Sequence, residues 1–189
     1  MREKYGLPHS SKEEIQLYVG TGLPRLIGHF YEKPVADSSI EAITQEYRNL
    51  YKETTRPEGT AYPGVEETLR SLMKVPNLKL GICTNRSSGI AEWILSRALP
   101  EIPFEIYGGS DSVSEKKPSP KHLTELITKV GLEPENVWYL GDHPVDQEAA
   151  QGAGVNFVAC SYGFGDISPQ GEVQIQSFSE ILKKIPFLA

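Results

Sequence analysis

The apolar run Val137-Trp138-Tyr139-Leu140 stops at Gly141-Asp142, and a second acid, Asp146, follows four residues on. A short β-branched and aromatic run of this kind predicts a buried strand. Such a strand carries the Asp142 carboxylate to its own C-terminal end, where the next helix begins. Open α/β sheets hold ligands just beyond the carboxyl ends of their strands, so this segment constrains both the fold and the place of chemistry. Two acids at one strand tip suit a divalent cation held by oxygens, with phosphate as a natural companion. The segment also fits a plainer reading, in which Asp142 caps the helix and Asp146 is surface charge.

Around this strand the chain follows two patterns that change near Gly59. Ser10 and Ser11 are each followed three residues later by Glu13 and Glu14, the spacing of a capping box at a helix start. Apolar residues from Ile15 to Val19 continue that helix to Gly20, and a short helix is expected from Pro24 through Phe30. Asp37 or Ser38 opens a third, with Ile40, Ile43, Tyr47, Leu50 and Tyr51 at helical spacing. No strand signal appears in this half, so residues 1–59 read as a small helical lobe.

Beyond Gly59, helices and strands alternate. Helices are expected at Pro63–Val75, around Ile90–Ala98, from Ser119-Pro120 to a stop at Gly131, and through Ala149-Ala150 to an end near Gly152. Strands are expected over residues 78–83, 105–107, 137–140, 156–160 and, at an edge, 173–175, with a short last helix through Leu182. This alternation predicts an α/β fold with a parallel, doubly wound sheet over residues 60–189.

Bulk properties exclude several classes. The net charge of −6 and the lack of any Lys/Arg block argue against non-specific nucleic-acid binding. No stretch approaches the roughly 18–20 apolar residues of a membrane span, and the first twenty residues carry charges where a signal peptide would be apolar. A cytoplasmic protein is expected. Cys83 and Cys160 each sit in an apolar run without metal-type spacing and read as reduced, buried core thiols.

Three positions line up where a strand meets a helix: Thr84-Asn85, Lys117 within Lys116-Lys117-Pro118-Ser119-Pro120, and Asp142 with Asp146. Each alone is a weak signal. Together they form the parts needed for phosphoryl chemistry. A hydroxyl and backbone N–H groups hold phosphate oxygens, an ammonium neutralises their charge, and two carboxylates hold Mg²⁺.

That order resembles the haloacid dehalogenase superfamily of phosphohydrolases, in particular its phosphoglycolate-phosphatase-like group with a helical cap. Leu80-Gly81-Ile82-Cys83-Thr84-Asn85 is similar to the second motif of the family, Lys117-Pro118-Ser119-Pro120 to the third, and Gly141-Asp142 with Asp146 to the fourth. The resemblance implies a Rossmann-like core over residues 60–189 and a helical cap over residues 1–59, incomplete at its start. It implies that Lys117 and Asp142 are catalytic, Lys117 by stabilising charge on the transferring phosphoryl group. Thr84, Asn85 and Lys117 would bind phosphate or substrate. Asp142 would ligate Mg²⁺ directly, and Asp146 would do so directly or from behind it. The implied partner is a small phosphorylated metabolite. Gly20, Thr21, Gly22 and Arg25 fall in a cap turn that would face the site, with Arg25 either meeting a substrate carboxylate or lying on the surface. His143 is expected to make a loop hydrogen bond. Residues 162–165 are expected to form only a flexible loop after a strand.

One family motif has no counterpart. The first motif is an Asp-x-Asp at the tip of a first strand, its first Asp attacking phosphorus and its second protonating the leaving group. The five aspartates here are Asp37, Asp111, Asp142, Asp146 and Asp166, and no two of them form such a pair. Relative to the family, one central strand, a loop and most of a helix are missing, roughly 20–30 residues at ordinary element lengths. Without that strand two buried edges would face each other across a gap, or the flanking strands would pair directly. Two functions follow as expectations. One is a phosphatase that is inactive as this truncated chain. The other is a non-catalytic protein that binds phosphate, metal or a protein partner. The exposed gap also offers an edge to a second copy of the chain, hence an expected homo-oligomer.

Overall fold

The computed structural model describes residues 8–16, 18, 23–30, 37–58, 60–168 and 171–185. The chain divides into two compact units, residues 1–56 and 57–189. Among the described residues the first holds three helices: α1 (Lys12–Gln16), α2 (Leu23–Phe30) and α3 (Asp37–Thr54). Ser11 caps α1, its hydroxyl oxygen accepting the Glu14 N–H at 3.0 Å, as the Ser-x-x-Glu spacing predicts. Ile27 and Ile43 are buried within this unit. Gly20, Thr21 and Gly22 lie outside the described residues, as does the side chain of Arg25.

The second unit alternates as the sequence predicts. Its elements are α4 (Val65–Leu72), β1 (Gly81–Cys83), α5 (Ser88–Ala98), β2 (Ile106–Gly108), α6 (Lys121–Val130), β3 (Trp138–Gly141), α7 (Pro144–Ala153), β4 (Asn156–Cys160), β5 (Val173–Ile175) and α8 (Ile181–Lys184). Two helix ends show why glycine sits where it does. Gly131 and Gly154 adopt the left-handed conformation at φ 68° and 70° after α6 and α7, a backbone that costs glycine little and other residues more. The sequence placed the end of α7 near Gly152; the helix runs one turn-fragment further, to the left-handed Gly154.

All strand pairs are parallel, but among the described residues they form two sheets. One has the order β1-β2 and the other β3-β4-β5. The β1–β2 ladder pairs Gly81 with Ile106 and Cys83 with Gly108. In the larger sheet Trp138 pairs with Asn156, and Val158 with Val173. β1 and β3 are not paired with each other. Both strands, with the segments leading into them, line an apolar cavity of about 440 Å³, to which Leu80, Ile82, Trp138 and Leu140 contribute. The expected strand over residues 78–83 is shortened to three residues, Gly81–Cys83.

The larger sheet buries both faces, which explains the unbroken apolar run of β4. Val158 and Cys160 face one cluster with Leu69, Leu72, Leu99 and Ile181. Phe157 and Ala159 face the other, with Leu123, Ile127 and Ala149. This is the two-residue alternation of a strand covered by helices on each side. Among the described residues no helix is long and apolar enough to cross a membrane.

Candidate functional site

The site is built where β1 and β3 end. Lys117 arrives from the loop ahead of α6, is nearly fully buried, and directs its ammonium at three oxygens. Nζ donates to the Cys83 carbonyl at 3.0 Å, to the Tyr139 hydroxyl at 2.5 Å and to Oδ1 of Asp146 at 2.7 Å. An ammonium has three donors, so these contacts use all of them. The lysine thus ties the tip of β1 to β3 and to the start of α7. Its backbone is held as firmly. The Lys117 carbonyl accepts from Nδ2 of buried Asn85 at 2.9 Å, and its N–H donates to Nδ1 of His122 at 3.3 Å.

Asp146 is buried as well, and both its oxygens are engaged. Oδ1 also accepts from the Tyr139 hydroxyl at 2.9 Å. Oδ2 accepts from the backbone N–H groups of Asp142 and His143 at 3.3 and 3.1 Å. Gly141 makes this fold-back geometrically feasible, since a Cβ there would lie 2.4 Å from Cβ of Asp146. The plainer reading of this segment is corrected on two counts. Asp146 is not surface charge, and the cap of α7 is His143, whose Nδ1 accepts from Val145 N–H at 3.3 Å in a reciprocal box with Asp146.

Asp142 sits differently. Its Oδ2 accepts the backbone N–H of Phe164 at 2.7 Å, and among the described residues no donor reaches Oδ1. The residues after β4, read from sequence as a loose loop, therefore lie against this carboxylate. Thr84 directly follows β1, with its N–H donating to the Gly108 carbonyl at 2.8 Å and its hydroxyl oxygen accepting from Arg86 N–H at 3.2 Å. Asp111, unassigned in sequence, accepts from both the N–H and the hydroxyl of Ser88 at 2.7 and 2.8 Å, fixing the start of α5.

Electrostatics follow burial. Desolvation pushes the Cys83 thiol up to about 11 and the Tyr139 hydroxyl well above its usual value, so neither is an activated nucleophile. Burial, and then the Lys117 charge, hold His122 below the usual imidazole range. A neutral His122 suits its two contacts, Nδ1 accepting from Lys117 and Nε2 donating to the Gly108 carbonyl at 3.2 Å.

Tyr139 is the functional neighbour that sequence reading missed, because in a buried strand it reads as core. The glycines at 163 and 165 were the other overlooked signal, since paired glycines after a strand mark a close backbone approach. Among the described residues no group of three or more His, Cys, Asp or Glu could enclose a metal ion. Asp142 leaves one carboxylate oxygen open here, one of the six that Mg²⁺ takes in its octahedron.

Comparison with known proteins shows the family. The family model for haloacid dehalogenase-like hydrolases matches residues 1–160. The chain is 30% identical to a phosphoglycolate phosphatase of Chromobacterium violaceum over 190 residues, covering 96% of this chain and 83% of the relative. A haloacid dehalogenase-like hydrolase structure from Bacteroides fragilis superposes with a TM-score of 0.81 at 23% identity, over 95% of this chain and 87% of the other. A predicted phosphoglycolate phosphatase from Haemophilus somnus gives 0.79 at 25% identity, over 96% and 85%. With the alternating α/β core and the lysine bridging two strand tips, these similarities show that the chain belongs to the haloacid dehalogenase-like hydrolase family.

Proposed function

We propose that this chain is a Mg²⁺-dependent phosphatase of the phosphoglycolate-phosphatase type that binds a small phosphorylated metabolite but does not turn it over in its present form. The observation that carries this reading is the convergence of Lys117 with the tips of β1 and β3, the latter running directly into Asp142. Lys117 and the Thr84 hydroxyl would hold phosphate oxygens, with Asn85 fixing the lysine loop from behind. A phosphate oxygen reaching Lys117 would displace a neutral acceptor, the Cys83 carbonyl or the Tyr139 hydroxyl, before the charged Asp146. Asp142 would hold Mg²⁺, which when bound neutralises charge on the phosphoryl oxygens. Asp146, with both oxygens taken, would act by positioning Lys117 and the Asp142 backbone.

The proposed lack of turnover rests on the residues of this sequence. Covalent phosphoryl transfer needs an activated nucleophile. No Asp-x-Asp pair is present in the sequence, Cys83 is held as a thiol, and Tyr139 is held protonated. The relative named phosphoglycolate phosphatase makes a two-carbon phosphate ester the first ligand to try. The test has two arms. With Mg²⁺ and an aryl phosphate the chain should show no hydrolysis above background; hydrolysis abolished by Asp142→Asn would refute the proposed inactivity. Inorganic phosphate binding should weaken at least tenfold in Lys117→Ala, and unchanged binding would refute the site. Fusing an Asp-x-Asp strand ahead of residue 1 should create activity. A folded but inert fusion would favour a purely binding role.

A further inference from the structure

We propose that His122 is a positioning residue for phosphate binding: its neutral ring ties the Lys117 loop to the tip of β2, and protonation of the ring weakens the site. The inference rests on the reading of Lys117 and Thr84 as the groups that hold phosphate. His122 lies in the first turn of α6 at 0% exposure. Its Nδ1 accepts the Lys117 N–H at 3.3 Å, and its Nε2 donates to the Gly108 carbonyl at 3.2 Å. The same carbonyl accepts the Thr84 N–H at 2.8 Å, which its two lone pairs allow. One ring therefore links the backbones of both phosphate-holding residues. Nδ2 of Asn85 donates to the Lys117 carbonyl, so the chain is held on each side of the Lys117 Cα. That grip fixes the direction in which the long side chain leaves the loop.

Only one protonation state serves both contacts. A neutral imidazole has one acceptor and one donor, whereas the charged ring has two donors. A proton on Nδ1 would face the Lys117 N–H, donor against donor, where the buried ring has no water to turn to, so the loop must move. Burial and then the Lys117 charge hold His122 below the usual imidazole range, while Glu125 on α6 and Asp146 on α7 act the other way. On the strands packed against α6, Tyr107 of β2 and Cys83 of β1 are both pushed up and stay neutral. Coulomb's law alone would have a dianion bind more tightly as a nearby imidazole gains charge. The His122 tie predicts the opposite sign.

Sulfate is the probe, a tetrahedral dianion at every pH used, so the ligand itself does not titrate. Its affinity for the full chain is measured by calorimetry from about pH 7.5 to about pH 5, with melting temperature at each pH to show that the chain is folded. The affinity should fall about 3- to 10-fold toward the acid end, the range that one hydrogen bond supplies. His122→Gln keeps an acceptor and a donor that do not titrate, and should bind evenly across the range. His122→Leu removes both groups, and should bind about 3- to 10-fold more weakly than the unaltered chain at the upper pH, with no further fall. If His122→Leu fails to fold, the His122→Gln profile decides. Both variants keep His9, His29 and His143, so a fall that persists in either would assign the pH dependence elsewhere and overturn the inference. So would an unaltered chain whose affinity stays level or rises toward acid, or a folded His122→Leu that binds as tightly as the unaltered chain. Absent binding at every pH, or binding indifferent to Lys117→Ala, would instead remove the phosphate site and the inference with it.

Discussion

The ammonium of Lys117 lies 2.7 Å from the carboxylate of Asp146, and both side chains are more than nine-tenths buried. Two charges removed from water in this way depend on each other. Truncating one leaves the other uncompensated, which costs about 3–5 kcal/mol. Lys117→Met should therefore lower stability by that order in urea denaturation, and Lys117→Met combined with Asp146→Leu should recover part of the loss. A single mutant as stable as the parent would show that the pair is open in solution.

Tyr139 sits between these two charges, donating to Asp146 and accepting from Lys117. Tyr139→Phe keeps the ring, which lies 6.2 Å from that of Phe157, and removes only the hydroxyl. Hydrogen bonds to charged groups contribute about 1.5–3 kcal/mol, so the urea midpoint should fall accordingly while the near-ultraviolet circular dichroism is retained. A neutral effect would mean that water replaces the phenol.

His122 predicts an acid limit to stability. Its folded-state value is held below the ordinary 6.5, so the unfolded chain binds the proton more readily than the folded one. The contribution is full above about pH 6.5 and is lost as pH falls from there through the depressed folded value. Protonation would also turn Nδ1 into a donor facing the Lys117 N–H. Unfolding followed between pH 7.5 and 5 should show this fall, and His122→Gln should flatten it. An equally steep fall in the variant would assign the effect to carboxylates.

The two thiols should be slow to label. With Cys83 at about 11, only about one molecule in a thousand is a thiolate at pH 8, and Cys160 is pushed up to about 11 as well. An aromatic disulfide reagent should react with both only on unfolding. Rapid labelling of either in the native protein would contradict their burial.

Much of this molecule was legible before folding. Helical spacing and capping residues gave the helices of both units, and the apolar runs gave the strands, β4 and β5 to the residue. The positions of Thr84, Lys117 and Asp142 at element junctions were equally plain, because strand tips and loop lysines are marked by local order along the chain. The roles divided only in space. Asp142 and Asp146 look alike in sequence as two acids four apart. In the fold, one is saturated by Lys117, Tyr139 and two backbone N–H groups, and the other keeps an oxygen open.

Tyr139 and the turn at Phe164 show the same limit. Periodicity reports which face of a strand is buried, so it marks Tyr139 as core and cannot report what its hydroxyl meets 22 residues away at Lys117. Nor can it tell that a loop 22 residues beyond Asp142 supplies the N–H that holds its carboxylate. Local propensity and alternation, set by neighbouring residues, were determined by the sequence itself. Which oxygens are satisfied and which remain open is a property of distant segments brought to one strand tip, and only the tertiary structure decided it.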